Sequence, residues 1–213
     1  MVVKQEAGAE DKERAFEFYK RLSVEWGHYA EKQEQPSKVL DGIIPALKKY
    51  NAEDVVDIGC GGGRNSIYLA KEGRFNVTGV DSSREALEIF RNRIEKEKLE
   101  NVHIVLGDAT KIPLKDEAFD AAISCLVFDL GNTAERKKAV SEMGRILRPD
   151  GIGYVAGLFS EKEREELIKI LQDSRFTVSE IILKPYEAVD IEKKLWVLVA
   201  EKKEQAPKLP ERM

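Results

Sequence analysis

Val55-Val56-Asp57-Ile58-Gly59-Cys60-Gly61-Gly62-Gly63-Arg64 is an apolar strand that ends in an acid and runs directly into a glycine-rich turn. A turn between a buried strand and a following helix passes through backbone conformations that side chains resist, and glycine removes the Cβ that would clash there. Ligand and backbone can then approach closely, so the stretch predicts the nucleotide-side floor of a Rossmann-like α/β fold. A dinucleotide fingerprint G-x-G-x-x-G would need its third glycine where this chain has Arg64, which speaks against a nicotinamide cofactor.

Working outward, Asn65 to Lys71 reads as a helix closed by Gly73, and Phe75 to Asp81 as a second strand. Asp81 lies 22 residues beyond Gly59, where a carboxylate can accept hydrogen bonds from both hydroxyls of an adenosine ribose. The alternative is a cap for the next helix, although Ser82 and Glu85 have the spacing of a capping box of their own. His103 to Ala109 reads as a third strand ending in Gly107-Asp108-Ala109, with Asp108 either a ligand acceptor or a turn residue. Further on come a fourth strand over Ala118 to Leu126, a helix closed by Arg145 to Gly151, a fifth strand over Ile152 to Phe159 and a helix capped by Ser160 and Glu163. Two strands, near Thr177 to Lys184 and Leu195 to Ala200, follow without a helix between them and therefore predict an antiparallel pair.

The pattern Asp57-x-Gly59-x-Gly61-x-Gly63, with acids after three successive strands, resembles the class I S-adenosylmethionine-dependent methyltransferases. The resemblance implies a seven-stranded mixed sheet with a reversed last strand, helices on both faces and an N-terminal helical cap. It implies S-adenosylmethionine as cofactor, with Asp57, Gly59, Cys60, Gly61, Gly63, Asn65, Asp81, Ser82, Asp108, Ala109 and Cys125 around it. The segment Gly61 to Ala70 is similar to the Gly-Arg-Asn-Ser-x-Tyr-Leu-Ala run of tellurite-resistance-type methyltransferases, and the type 11 branch is equally compatible. There Arg64 either meets the donor's carboxylate or serves to start the helix.

The acceptor is far less legible. The loop Cys125 to Asn132 lacks the Asn- or Asp-Pro-Pro-Tyr motif by which amino-group methyltransferases polarise an amine. Asp129 in this loop, and His28 and Tyr29 upstream, are the candidate catalytic groups, set against turn or core roles for the same residues. Methyl transfer from an activated donor can proceed by alignment alone, so no catalytic residue is required by the chemistry.

Before residue 52, Phe16, Tyr19, Leu22, Trp26 and Tyr29 make one aromatic face of a helix over Lys12 to Glu31, either buried as core or closing as a lid over the acceptor. Val39, Leu40, Ile43, Ile44 and Leu47 give a second helix that packs on the sheet, with Pro45 expected to kink it or start a new turn. The expected organisation is a cap over 1–51, a cofactor-binding core over 52–201 and a charged tail over 202–213. With 35 basic and 39 acidic residues the net charge of −4 gives no electrostatic footprint for nucleic acid. There is no membrane-length apolar run or signal peptide, which predicts a cytoplasmic protein, and the two cysteines predict no disulfide framework. His28 and His103 lack metal-ligand spacing, so no metal is expected. These features favour a small-molecule acceptor over tRNA or protein; an adenosine-binding protein without transferase activity and aminopropyl transfer are the remaining alternatives.

Overall fold

The computed structural model describes residues 35–128, 131–182 and 194–203. Along the chain run α1 (Leu40–Lys49), β1 (Asp54–Ile58), α2 (Arg64–Tyr68) continued by a π turn (Leu69–Gly73), β2 (Asn76–Asp81), α3 (Arg84–Glu97) and β3 (Val102–Leu106). Then follow β4 (Phe119–Cys125), α4 (Thr133–Ile146), β5 (Leu147–Phe159), α5 (Glu161–Asp173), β6 (Phe176–Ile182) and β7 (Lys194–Lys202). The strands form one seven-stranded sheet in the order β3-β2-β1-β4-β5-β7-β6. β7 runs antiparallel to both β5 and β6, the direction expected where two successive strands lie too few residues apart for a parallel crossover of a dozen or more.

Helices cover both faces, which is why β1 reads as an almost unbroken apolar run: Val55 packs into one hydrophobic cluster and Val56 and Ile58 into the other. The first cluster holds Leu40, Leu47, Leu69 and Phe90 from α1, α2 with its π turn, and α3. The second holds Val140, Met143, Leu167 and Leu171 from α4 and α5. Strand order reverses between β1 and β4, and the crevice at the carboxyl ends there is where open α/β sheets receive ligands.

Several local features depart from the sequence expectations. The helix after the glycine turn is closed by Arg74 in the left-handed region (φ 61°), not by Gly73. A Cβ on Gly73 would lie 2.2 Å from the Phe75 ring, so that glycine serves packing. Asn101 Nδ2 donates to the carbonyls of Ala70 (3.1 Å) and Phe75 (2.8 Å), which satisfies acceptors that the wide turn releases. α3 is capped by Ser83, whose hydroxyl accepts from the Ala86 amide, and not by Ser82, which is exposed.

β5 begins at Leu147 and not at Ile152, since Leu147 pairs with Phe119 before a register shift. Arg148, bridging Asp54 and Asp120, holds that early extension against β1 and β4. α1 continues through Pro45, with Leu40, Ile43 and Leu47 buried, each burial worth roughly 2 kcal/mol. It shares the cluster of β1 and β2, as expected of a helix packed on the sheet. The predicted helix over 12–31, with Phe16, Tyr19, Leu22, Trp26, His28 and Tyr29, lies outside the described residues, as does most of the 202–213 tail. Among the described residues, no helix is long and apolar enough to cross a membrane, and no cluster of side chains could hold a metal ion.

Candidate functional site

The glycine turn leaves β1 at Ile58 and is fastened from below. The amides of Gly59 and Cys60 both donate to the Val80 carbonyl (2.7 and 3.1 Å), and Gly63 N–H donates to the Cys60 carbonyl (3.0 Å). Arg93, on α3, donates to the Gly62 carbonyl at 2.8 Å. The glycines differ in what they face. A Cβ on Gly59 would lie 2.1 Å from Val127 Cγ2, and one on Gly63 would lie 1.9 Å from the Phe90 ring, so both positions are filled by protein. Gly61 also has a positive φ, 53°, yet among the described residues nothing lies within 4 Å of where its Cβ would be. Of the turn's three left-handed glycines it is the one that faces open space.

Beneath this turn are two carboxylates. Asp57 is 1% exposed and accepts from Ser66 Oγ at 2.6 Å. Burial pushes its pKa up to about 6 against the Ser66 hydrogen bond, and the nearby Asp81 charge adds to the rise. Asp81, at the end of β2, accepts from Gly61 N–H through Oδ2 (2.8 Å) and from Ser83 N–H through Oδ1 (2.9 Å). It therefore braces the start of α3, one of the two readings of its sequence position, and it also holds the glycine turn, a contact that neither reading named. Burial raises its pKa while the backbone amides of Ser83, Gly61 and Ser82 oppose the rise. A carboxylate has about four lone-pair sites, so Asp81 keeps acceptor capacity beyond these amides. Cys60 is buried against Gly79, with its thiol held well above the ordinary range by burial, a packing residue and not a nucleophile.

Residues 55–151, which contain this turn and these acids, match the family described as a methyltransferase domain. The stretch from β1 to the start of β5 is thus similar to a methyltransferase domain. It is 37% identical over 121 residues to the methyltransferase GfsG of Streptomyces halstedii, covering 55% of this chain and 42% of that one. It is 33% identical over 145 residues to the demethylmenaquinone methyltransferase of Listeria welshimeri, covering 56% and 61%. The chain thus spans about half the length of these relatives. The crystal structure of Burkholderia thailandensis 1,6-didemethyltoxoflavin-N1-methyltransferase, with bound 1,6-didemethyltoxoflavin and S-adenosylhomocysteine, superposes with a TM-score of 0.71 at 19% identity over 95% of this chain and 94% of that one. That likeness shows the fold.

The remaining expected site residues fall into separate groups. Asp108 is exposed, and its Oδ1 accepts from Thr110 N–H (2.7 Å) and Thr110 Oγ1 (2.6 Å), so it is held in a turn of its own. Ala109 packs partly against the second cluster. Cys125 is half-buried at the end of β4 and leads into Leu126, whose φ of 62° is unusual for a branched side chain. Leu126 N–H donates to the Ala156 carbonyl (2.8 Å), and Val127 then closes over Gly59. Arg136, 6% exposed, donates from Nε to the Phe128 carbonyl (2.8 Å) and pairs with Glu163 and Glu166, tying this loop to α4 and α5. Asn65 Oδ1 accepts from Ser37 N–H (2.9 Å), and Arg64 donates to the Gln35 carbonyl (3.1 Å), both contacts within the protein. Asp129, His28 and Tyr29 lie outside the described residues.

Sequence reasoning missed Ser66, Arg93 and Arg136, whose partners stand 9, 31 and 8 to 30 residues away and leave no local signature. The residues present fit S-adenosylmethionine: a carboxylate with spare acceptor sites stands beside the one left-handed glycine of the turn that opens on space. A cleft of about 390 Å³ opens elsewhere, lined by Lys48, Asn51, Arg74 and Asn76 at the amino ends of β1 and β2. That is the opposite edge of the sheet from the ligand crevice.

Proposed function

We propose that this chain is a methyltransferase that transfers the methyl group of S-adenosylmethionine to a small-molecule acceptor in the cytoplasm. The observation that carries the proposal is the pairing of Asp81 with Gly61, in which one carboxylate oxygen sets the amide of the glycine that faces open space. The spare acceptor sites on Asp81 suit the two ribose hydroxyls, and the positive φ and bare Cα of Gly61 let the donor lie against the backbone. Asp57, held by Ser66, supports the turn from below, while Asp108 at the end of β3 offers its second oxygen toward an adenine amino group. Gly59, Cys60, Gly63, Ser82, Ala109 and Cys125 complete the surround as wall and turn.

When bound, the donor supplies an activated sulfonium methyl group. The work left to the chain is to hold the acceptor in line and keep water out, for which effective molarities of about 10⁵ M or more are available without a catalytic side chain. The stretch Leu126 to Phe128 after β4, held by Arg136 and by the left-handed Leu126, provides a wall for this purpose. A balanced charge of −4 supports a small acceptor over a nucleic acid, as does the demethylmenaquinone named for the Listeria relative.

The test is transfer of labelled methyl from S-adenosylmethionine into cell extract separated into small-molecule, protein and RNA fractions. Label in the small-molecule fraction is expected. Label confined to RNA or protein would replace the acceptor class, and no label together with no binding of S-adenosylhomocysteine would overturn the activity.

A further inference from the structure

The two residues that follow the glycine turn point back toward the start of the described chain. Asn65, the second residue of α2, is 6% exposed and accepts the Ser37 amide proton at 2.9 Å. Arg64 donates to the Gln35 carbonyl at 3.1 Å, and Tyr68, one turn on, donates to Asp41 at 3.3 Å. A short helix beginning at the ligand crevice thus clasps residues 35–41 through three side chains.

We propose that Asn65 is a positioning residue and not a ligand of the donor: it seats residues 35–37 on the rim of the donor site, so methyl transfer depends on this tether while donor affinity does not. The inference rests on the methyltransferase proposal above. Its physical basis is the single acceptor atom involved. Asn65 Oδ1 is occupied by a half-buried backbone amide from 28 residues away, and without that acceptor the segment loses the side chain that seats it. Because transfer depends on alignment, a shift of about 1 Å in what borders the acceptor is costly to rate and nearly neutral to a donor held by Asp81 and the glycine turn.

Ser37→Pro removes the N–H without altering Asn65, whereas Ser37→Ala keeps it and serves as the conservative control. The readouts are S-adenosylhomocysteine affinity by calorimetry and labelled-methyl transfer into the extract fraction that the unaltered protein labels. Ser37→Pro and Asn65→Ala are each expected to lower transfer by about tenfold while affinity stays within about threefold, and Ser37→Ala is expected to match the unaltered protein. If Asn65→Ala weakens S-adenosylhomocysteine tenfold while Ser37→Pro does not, Asn65 is a donor ligand and the inference is overturned. Equal transfer by Ser37→Pro and Ser37→Ala overturns it as well. Failure of the unaltered protein to bind S-adenosylhomocysteine would instead sink the underlying methyltransferase proposal.

Discussion

Asp81 and Asp108 end neighbouring parallel strands on the same edge of the sheet, yet they sit in different physical settings. Asp81 is sheltered, its two oxygens tied to the amides of Gly61 and Ser83, and burial raises its pKa. Asp108 is exposed and has one oxygen taken twice by Thr110 in a local turn. An acid at a strand end becomes part of a built site only when backbone from another element converges on it. β2 adjoins β1 and its glycine turn, whereas β3 is an edge strand with nothing beyond it.

The sharpest break in this comparison is expected on the glycine side. Gly63→Ala adds left-handed strain of about 1–2 kcal/mol and overpacks Phe90 by a further 1–3 kcal/mol, so denaturant unfolding should show a loss of about 3 kcal/mol. Gly61→Ala carries the strain alone and should remain folded while losing S-adenosylhomocysteine affinity; equal destabilisation by the two changes would remove the distinction between packed and open glycines.

Asp81→Ala should weaken S-adenosylhomocysteine by more than about tenfold in calorimetry, since charge-assisted hydrogen bonds to the ribose are lost with it. An unchanged affinity would remove Asp81 from the site.

Asp57 sharpens the contrast through pH. Its folded pKa of about 6 lies above the ordinary carboxyl value of 3.8, so its contribution to stability is fully present below pH 3.8 and is lost as pH rises through about 6. Asp81, also raised, acts in the same direction. Asp57→Asn should therefore flatten the decline in stability between pH 4.5 and 6 by on the order of 1 kcal/mol, measured by urea unfolding. A decline as steep as that of the unaltered protein would place its pKa elsewhere.

The smallest effect belongs to Asp108→Ala. With its carboxylate exposed and one oxygen taken by a local turn, its second oxygen can add only a solvent-screened contact, so affinity for S-adenosylhomocysteine should fall by no more than about threefold, and a loss matching that of Asp81→Ala would erase the comparison.

The sequence by itself determined the order of strands and helices, the glycine turn after the first strand, the acids at three strand ends and the reversed last strand. Each of these is local: apolar runs of strand length, glycine where φ must be positive, and two strands too close in sequence for a crossover. The capping box at Ser160 and Glu163 was legible for the same reason and is present. Only the tertiary structure decided which glycine faces a ligand and which faces Phe90, because that depends on a side chain from α3 that no spacing rule connects to the turn. It also decided that Asn65 receives Ser37 and that Arg136 joins Phe128 to Glu163 and Glu166. These are pairings between groups distant in sequence, and which atom meets which acceptor is set by how the layers pack and not by the residues taken one at a time.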